Sequence, residues 1–120
     1  MHITLADKNI DFATKLIDHH PNGNAIAFDI FDEQQRTKEI TKADIVVSML
    51  PARFHIEVAK DCLTLNKNMV TASYVSKEMQ ALHKAVEAKG LLFLNEMGVD
   101  PGIDHMSAMQ VIDRIKANGG

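Results

Sequence analysis

Leu91-Leu-Phe-Leu-Asn-Glu96, running into Met97-Gly-Val-Asp-Pro-Gly-Ile-Asp-His105, is the stretch on which the fold is decided. A short apolar run of this kind reads as a buried strand. It empties into a loop rich in glycine, proline and acid, and a helical pattern follows. In an open α/β sheet that is where ligands bind, beyond the carboxyl end of a strand and before the next helix. Two glycines, one proline and two carboxylates between regular elements specify both the backbone path and the polar groups of the loop.

Outward from this loop, the apolar pattern alternates between continuous short runs and helical periodicity, as strands joined by crossover helices require. Five strand-helix units can be read. Ile3 to Ala6 is a strand, followed by a helix from Ile10 to His19 capped by Asn9. The turn Pro21-Asn-Gly23 leads to a strand over Asn24 to Ile30 and a polar helix from Asp32 to Lys42. Asp44 to Leu50 is apolar on both faces, as suits a parallel strand covered on two sides. Pro51 opens a helix with Phe54, Val58, Cys62 and Leu65 on one face. Asn68 to Tyr74 is a further strand, and Ser76 caps a helix that turns Met79, Leu82 and Val86 inward and stops at Gly90. The last helix, from Asp104 or His105 to Lys116, is expected to present Met109, Ile112 and Ile115 to a core. Asn118-Gly-Gly120 is a stop or a linker.

The 120 residues, 46% hydrophobic and 24% charged, match one soluble globular module. A net charge of −3 with singly scattered Lys and Arg excludes an electrostatic nucleic-acid surface. No apolar run approaches the roughly 20 residues needed to span a bilayer, and the amino terminus lacks a signal-peptide pattern. A cytoplasmic protein with no membrane partner is expected. The single Cys62 falls on an apolar helix stripe and reads as a buried structural thiol. The seven Met residues lie mostly at helical core spacing and are expected to act as gap-fillers rather than a binding stripe. No metal site is expected, because no Cys and His spacing resembles zinc ligation and His19 and His20 point to different sides of their helix. No Ser, His and Asp grouping supports a nucleophilic triad, so no catalytic residue is assigned.

A dinucleotide-binding fold opens with a strand, a Gly-rich phosphate loop and a helix. No G-x-G-x-x-G occurs in the sequence, yet Ile3-Thr-Leu-Ala-Asp7 reads as the second strand of such a fold, ending in a carboxylate suited to a ribose hydroxyl. The expected class is therefore α/β, a Rossmann-like three-layer parallel sheet lacking its first strand and Gly-rich loop. That first strand is central in the order 3-2-1-4-5-6, so its absence leaves two strand edges unpaired. A homodimer through those edges, or a rearranged strand order, is the expected consequence.

Three blocks carry a family resemblance: Asp44-Ile-Val-Val-Ser-Met-Leu-Pro-Ala-Arg-Phe-His55, Asn68-Met-Val-Thr-Ala-Ser-Tyr-Val-Ser76 and Asn95-Glu-Met-Gly-Val-Asp-Pro-Gly-Ile-Asp-His105. In this order and spacing they resemble the saccharopine dehydrogenase family, in particular its glutamate-forming branch. The resemblance covers the whole chain as the later part of the nucleotide-binding domain, without the first β-α unit or the substrate domain. It implies a nicotinamide-dependent oxidoreductase acting on the CH–NH group of saccharopine or a related opine-like amino acid, in lysine or amino-acid metabolism. On this view the 120 residues alone are expected to be inactive and to bind cofactor weakly.

The resemblance also implies site residues. Asp7 and Lys8 match the contact to the adenosine ribose, where the acid favours NAD and the lysine NADP. Asp29 and Ile30 match the strand end near the adenine, and Ser48, Leu50 and Pro51 the strand exit beneath the dinucleotide. Thr71 and Ala72 would lie beside the cofactor, while Val99, Asp100 and Pro101 match the loop over the nicotinamide side. Ser73 and Tyr74 match the pair that binds the substrate's amino-acid end. Their hydroxyls suit a carboxylate or an ammonium; a packed ring with its hydroxyl in water is the bland reading of Tyr74. An Asp before Pro also shapes turns without touching a ligand. Arg53 and His55 suit either a substrate mouth or a solvated helix face, and His105 either chemistry or a helix cap. A non-catalytic Rossmann-like nucleotide-binding or assembly module is the rival reading.

Overall fold

A computed structural model describes residues 1–120. The chain forms two compact units, Met1–Glu39 and Ile40–Gly120. Both are α/β, and every strand pairing is parallel.

In the first unit, β1 (Ile3–Asp7) pairs with β2 (Gly23–Ala27) in the register Ile3 to Gly23 through Asp7 to Ala27. Helix α1 (Ile10–Ile17) crosses between them and buries Ala13. The Asn9 side chain accepts from Phe12 N–H at 3.0 Å, the expected cap. The helix stops two residues short of the expected His19 because Asp18 and His19 take left-handed φ of 45° and 56°. The ladder of β2 likewise ends at Ala27 rather than Ile30. Phe28 N–H still reaches Asp7 C=O at 2.9 Å, after which the Asp29 carboxylate accepts from Phe31 N–H and turns the chain.

Helix α2 (Glu33–Lys42) opens with the Asp32 carboxylate accepting from Gln35 N–H. The Gln35 amide clamps the exit of β2 by donating to Ala27 C=O and accepting from Asp29 N–H. Arg36 is buried and donates to Ile30 C=O at 2.6 Å. Hydrogen bonds therefore hold the start of this polar helix against the exit of β2.

In the second unit, β3 (Ile45–Ser48), β4 (Asn68–Thr71) and β5 (Phe93–Leu94) lie in that order. All three are shorter than the apolar runs that encode them. Helix α3 (His55–Thr64), preceded by a 3₁₀ turn at Ala52–Phe54, packs on β3 and β4. It buries Val58 and Cys62 of the expected stripe together with Ala59, while Phe54 and Leu65 are half-buried, and Met69 of β4 is fully buried. The Ser76 hydroxyl accepts from Met79 N–H at 3.2 Å and starts α4 (Lys77–Ala81), which breaks at Leu82 before α5 (His83–Ala88). Gly90, at φ 64°, closes the pair as the sequence requires.

Two expectations fail. β3 was expected to be covered on both faces, but Ile45 and Val47 are 53% and 60% exposed while Ser48 is buried. Helix α6 (Ile103–Ala117) was expected to turn Met109, Ile112 and Ile115 into a core; they are 48%, 40% and 53% exposed, and no residue of α6 is buried. Apolar periodicity marks the side of an element that seeks cover, and within this chain these sides find none. The strand order within each sheet is not rearranged, and β1 and β3 each have one neighbour. No helix is long and apolar enough to cross a membrane.

Burial pushes the Cys62 thiol up to about 12, with the Asp61 charge adding to the effect. The native thiol is expected to resist a disulfide reagent at pH 8 and to react promptly once the chain is unfolded. Equal rates in the two states would show that the α3 core is open.

Candidate functional site

The carboxyl ends of β3 and β4 converge on one imidazole. Ser48 is the last residue of β3, and the chain then passes Leu50 and Pro51 into the 3₁₀ turn that delivers His55 to the start of α3. His55 is 3% exposed. Its Nδ1 lies 2.8 Å from Ser48 Oγ, and its Nε2 lies 2.8 Å from Ser73 Oγ and 3.1 Å from Thr71 Oγ1. A solvated helix face is thereby ruled out for His55. Arg53 does remain at the surface, its guanidinium 4.7 Å above the Phe54 ring in a cation–π contact.

The loop after β5 is built against the exit of β4. Glu96 N–H donates to Ser73 C=O and Met97 N–H to Thr71 C=O, which extends the strand pairing past both strand ends. Glu96 holds φ at 62° and accepts from Val75 N–H through its carboxylate at 3.2 Å. Gly98 N–H donates to Pro101 C=O, while Ile103 and Asp104 N–H donate to Gly98 and Val99 C=O. The Asp100–Pro101 peptide is cis. Gly102 sits at φ 148°, and a Cβ there would overlap the backbone of Gly98 and press on Glu96 C=O. A Cβ on Gly98 would stand 3.0 Å from that of Ala72. Glycine is thus required where this loop closes on itself and favoured where it meets β4.

Two polar pairs stand on this frame. Tyr74 O–H donates to Asp100 Oδ1 at 2.7 Å, joining the second and third sequence blocks. Asp104 Oδ1 accepts from Gly102 N–H at 2.9 Å and pairs with His105 Nδ1 at 2.8 Å. Asp100, Asp104 and His105 each offer one ligand atom within 4.8 Å of the others, but these atoms are already engaged by Tyr74 and by one another. Val99 is exposed at the loop tip, and Pro101 is buried.

Of the sequence-derived residues, Ser48, Thr71, Ser73, Tyr74 and Asp100 are drawn into these two hydrogen-bonded groups. The others in the first unit serve local turns. Asp7 accepts from Asn9 N–H at 2.7 Å at the end of β1, with Lys8 exposed beside it. Asp29 and Ile30 form the turn after β2 and accept from Phe31 N–H and Arg36. Sequence reasoning gave His55 no decisive role and passed over Glu96. A histidine seven residues after a strand-end serine was the available signal for the first; nothing short of the fold could find the second.

The two histidines are displaced in opposite directions. Burial lowers the His55 pKa. The hydrogen bond and charge of Asp104 raise that of exposed His105. Burial pushes the Asp104 carboxyl up, but hydrogen bonds from His105 and Gly102 outweigh this and hold it below the usual range. The hydrogen bond to Asp100 raises the Tyr74 hydroxyl. By linkage, the contribution of His105 is present below the unfolded value of about 6.5 and lost as pH rises through its folded pKa. That of neutral His55 is present above the same value and lost as pH falls through its own. An NMR titration is expected to place His55 below and His105 above 6.5, with Asp104→Asn lowering His105 alone. The reverse order would refute the two environments.

Comparison with known proteins accords with these blocks. The family described as saccharopine dehydrogenase NADP binding domain matches residues 1–94, so the loop after β5 lies beyond that match. Alpha-aminoadipic semialdehyde synthase of Arabidopsis thaliana is 39% identical over 94% of this chain and 11% of its own length. The NADP(+), L-glutamate-forming saccharopine dehydrogenase of Pyricularia oryzae is 36% identical over 98% of the chain and 26% of its own. The apo structure of saccharopine dehydrogenase (L-Glu forming) from Saccharomyces cerevisiae superposes with a TM-score of 0.86 at 31% identity, covering 98% of this chain and 26% of that one. The chain therefore spans between about a tenth and a quarter of the length of these relatives. With its parallel α/β sheets and its strand-end loops matched from Ser48 through β4, the chain belongs to the saccharopine dehydrogenase NADP binding domain family.

Proposed function

We propose that this chain is the nucleotide-binding part of a longer NADP- or NAD-dependent oxidoreductase that acts on the CH–NH group of saccharopine or a closely related amino acid. The observation that carries this reading is the Tyr74–Asp100 hydrogen bond. It sets a phenol and a carboxylate together beyond the carboxyl ends of two adjacent parallel strands, where α/β sheets take ligands. A module that only sensed adenosine and phosphate would have no use for polar groups matched to an amino acid there.

In this reading Ser73 and Tyr74 hold the amino-acid end of the substrate. Thr71, Ala72, Val99, Asp100 and Pro101 line the nicotinamide side, and Ser48, Leu50 and Pro51 lie beneath the dinucleotide. Asp7 and Lys8 receive the ribose, with Asp29 and Ile30 near the adenine. The fit is partial. A strand-end carboxylate beside an exposed lysine suits a ribose with or without a 2′-phosphate, while the 120 residues contain no Gly-rich pyrophosphate loop. When bound, the nicotinamide supplies hydride transfer at the reacting carbon. The protein orients substrate and excludes water.

In the full-length enzyme, Tyr74→Phe and Asp100→Ala should each lower kcat/KM for saccharopine by about 10- to 100-fold, the scale of one hydrogen bond to a charged group. Unchanged turnover in both would favour a non-catalytic module.

We also propose that this chain by itself pairs with a second copy through its open strand edges. β3 has β4 as its single neighbour, so its other edge has no strand beside it; an open edge of this kind recruits another strand. Light scattering at micromolar concentration should give twice the chain mass, and a clean monomer would refute it.

A further inference from the structure

His55 makes more contacts than one neutral ring can serve in every protonation pattern. Burial keeps the imidazole neutral at pH 7, so it has one N–H and one lone pair. Nδ1 faces Ser48 Oγ, while Nε2 faces both Ser73 Oγ and Thr71 Oγ1. With the hydrogen on Nδ1, two hydroxyl protons would compete for the single lone pair on Nε2. With the hydrogen on Nε2, one N–H is shared between the two oxygens, and Nδ1 takes the one proton that Ser48 owns. Ser73 N–H also points at Thr71 Oγ1 from 3.4 Å, so that oxygen accepts one hydrogen bond whichever tautomer the ring holds.

The polarity of Ser73 follows. A hydroxyl that accepts from the ring directs its own proton away from it, and Ser73 is half-buried and so within reach of a ligand. The neighbouring Tyr74 does the opposite, giving its proton to Asp100 and leaving both oxygens as acceptors. We propose that His55, in its Nε2–H form, is a positioning residue that holds the Ser73 hydroxyl as a donor, so that Ser73 takes a carboxylate oxygen of the amino-acid substrate rather than its ammonium. The ammonium is then left to the acceptor pair Tyr74 and Asp100. This inference rests on the amino-acid reading of the site given above.

Two measurements test it. Long-range ¹H–¹⁵N spectra of the chain should show His55 with an unprotonated Nδ1 and a protonated Nε2. A protonated Nδ1 overturns the proposal. In the full-length enzyme, Ser73→Ala and His55→Leu should raise KM for saccharopine by about 10- to 100-fold, more than they lower kcat. His55→Gln, whose amide N–H can still reach Ser73, should recover most of that loss. A His55→Gln variant as impaired as His55→Leu, or an unchanged KM in Ser73→Ala, also overturns it. A wild-type enzyme that oxidises no secondary-amine amino acid sinks the functional reading and with it the substrate half of the inference, while the tautomer measured in the chain still decides separately whether His55 holds the Ser73 hydroxyl as a donor.

Discussion

The second unit depends on the three-way hydrogen bonding of His55. Three parallel strands supply the sheet, but backbone pairing fixes only their spacing, and β5 contributes just two ladder residues. The imidazole adds what the ladder does not. It ties the last residue of β3 to the last residue of β4 and to the turn beyond it, from the first position of α3. A buried, fully engaged polar ring specifies one arrangement, because any shift of a strand end would leave a hydroxyl or ring nitrogen unpaired at a cost of about 1–3 kcal/mol.

The loop from Glu96 to His105 is the counterpart of that hub on the outer side. Glu96 and Met97 continue the pairing with the exit of β4 by backbone hydrogen bonds, and Gly98 and Gly102 allow the chain to fold back on itself. Tyr74 then bridges to Asp100, and Asp104 organises the first turn of α6 through Gly102 and His105. Rigid backbone near β4 thus carries exposed, polar and chemically distinct side chains at its rim. That combination suits a ligand site on a scaffold.

Much of this was legible before the fold was seen. Asn9 and Ser76 announced their caps, because a short polar side chain before an apolar period has little else to do. The stripe Val58 and Cys62 announced the face of α3. Ile45, Val47, Met109, Ile112 and Ile115 were misread for a common reason. Their apolar spacing was real, but spacing reports a tendency to be covered and carries no information about whether a cover exists. His55 was ambiguous because an imidazole is compatible with both water and a core, and its three partners lie seven, sixteen and eighteen residues away.

The sequence by itself determined the α/β class, the parallel character of the strands, the capping residues and the family, since each is written in local pattern or in contiguous blocks such as Asn95 to His105. Only the tertiary structure decided that Ser48, Thr71 and Ser73 share one buried imidazole and that Tyr74 meets Asp100. These contacts join residues from separate β-α units, and their geometry is set where parallel strands end side by side. No local propensity records it.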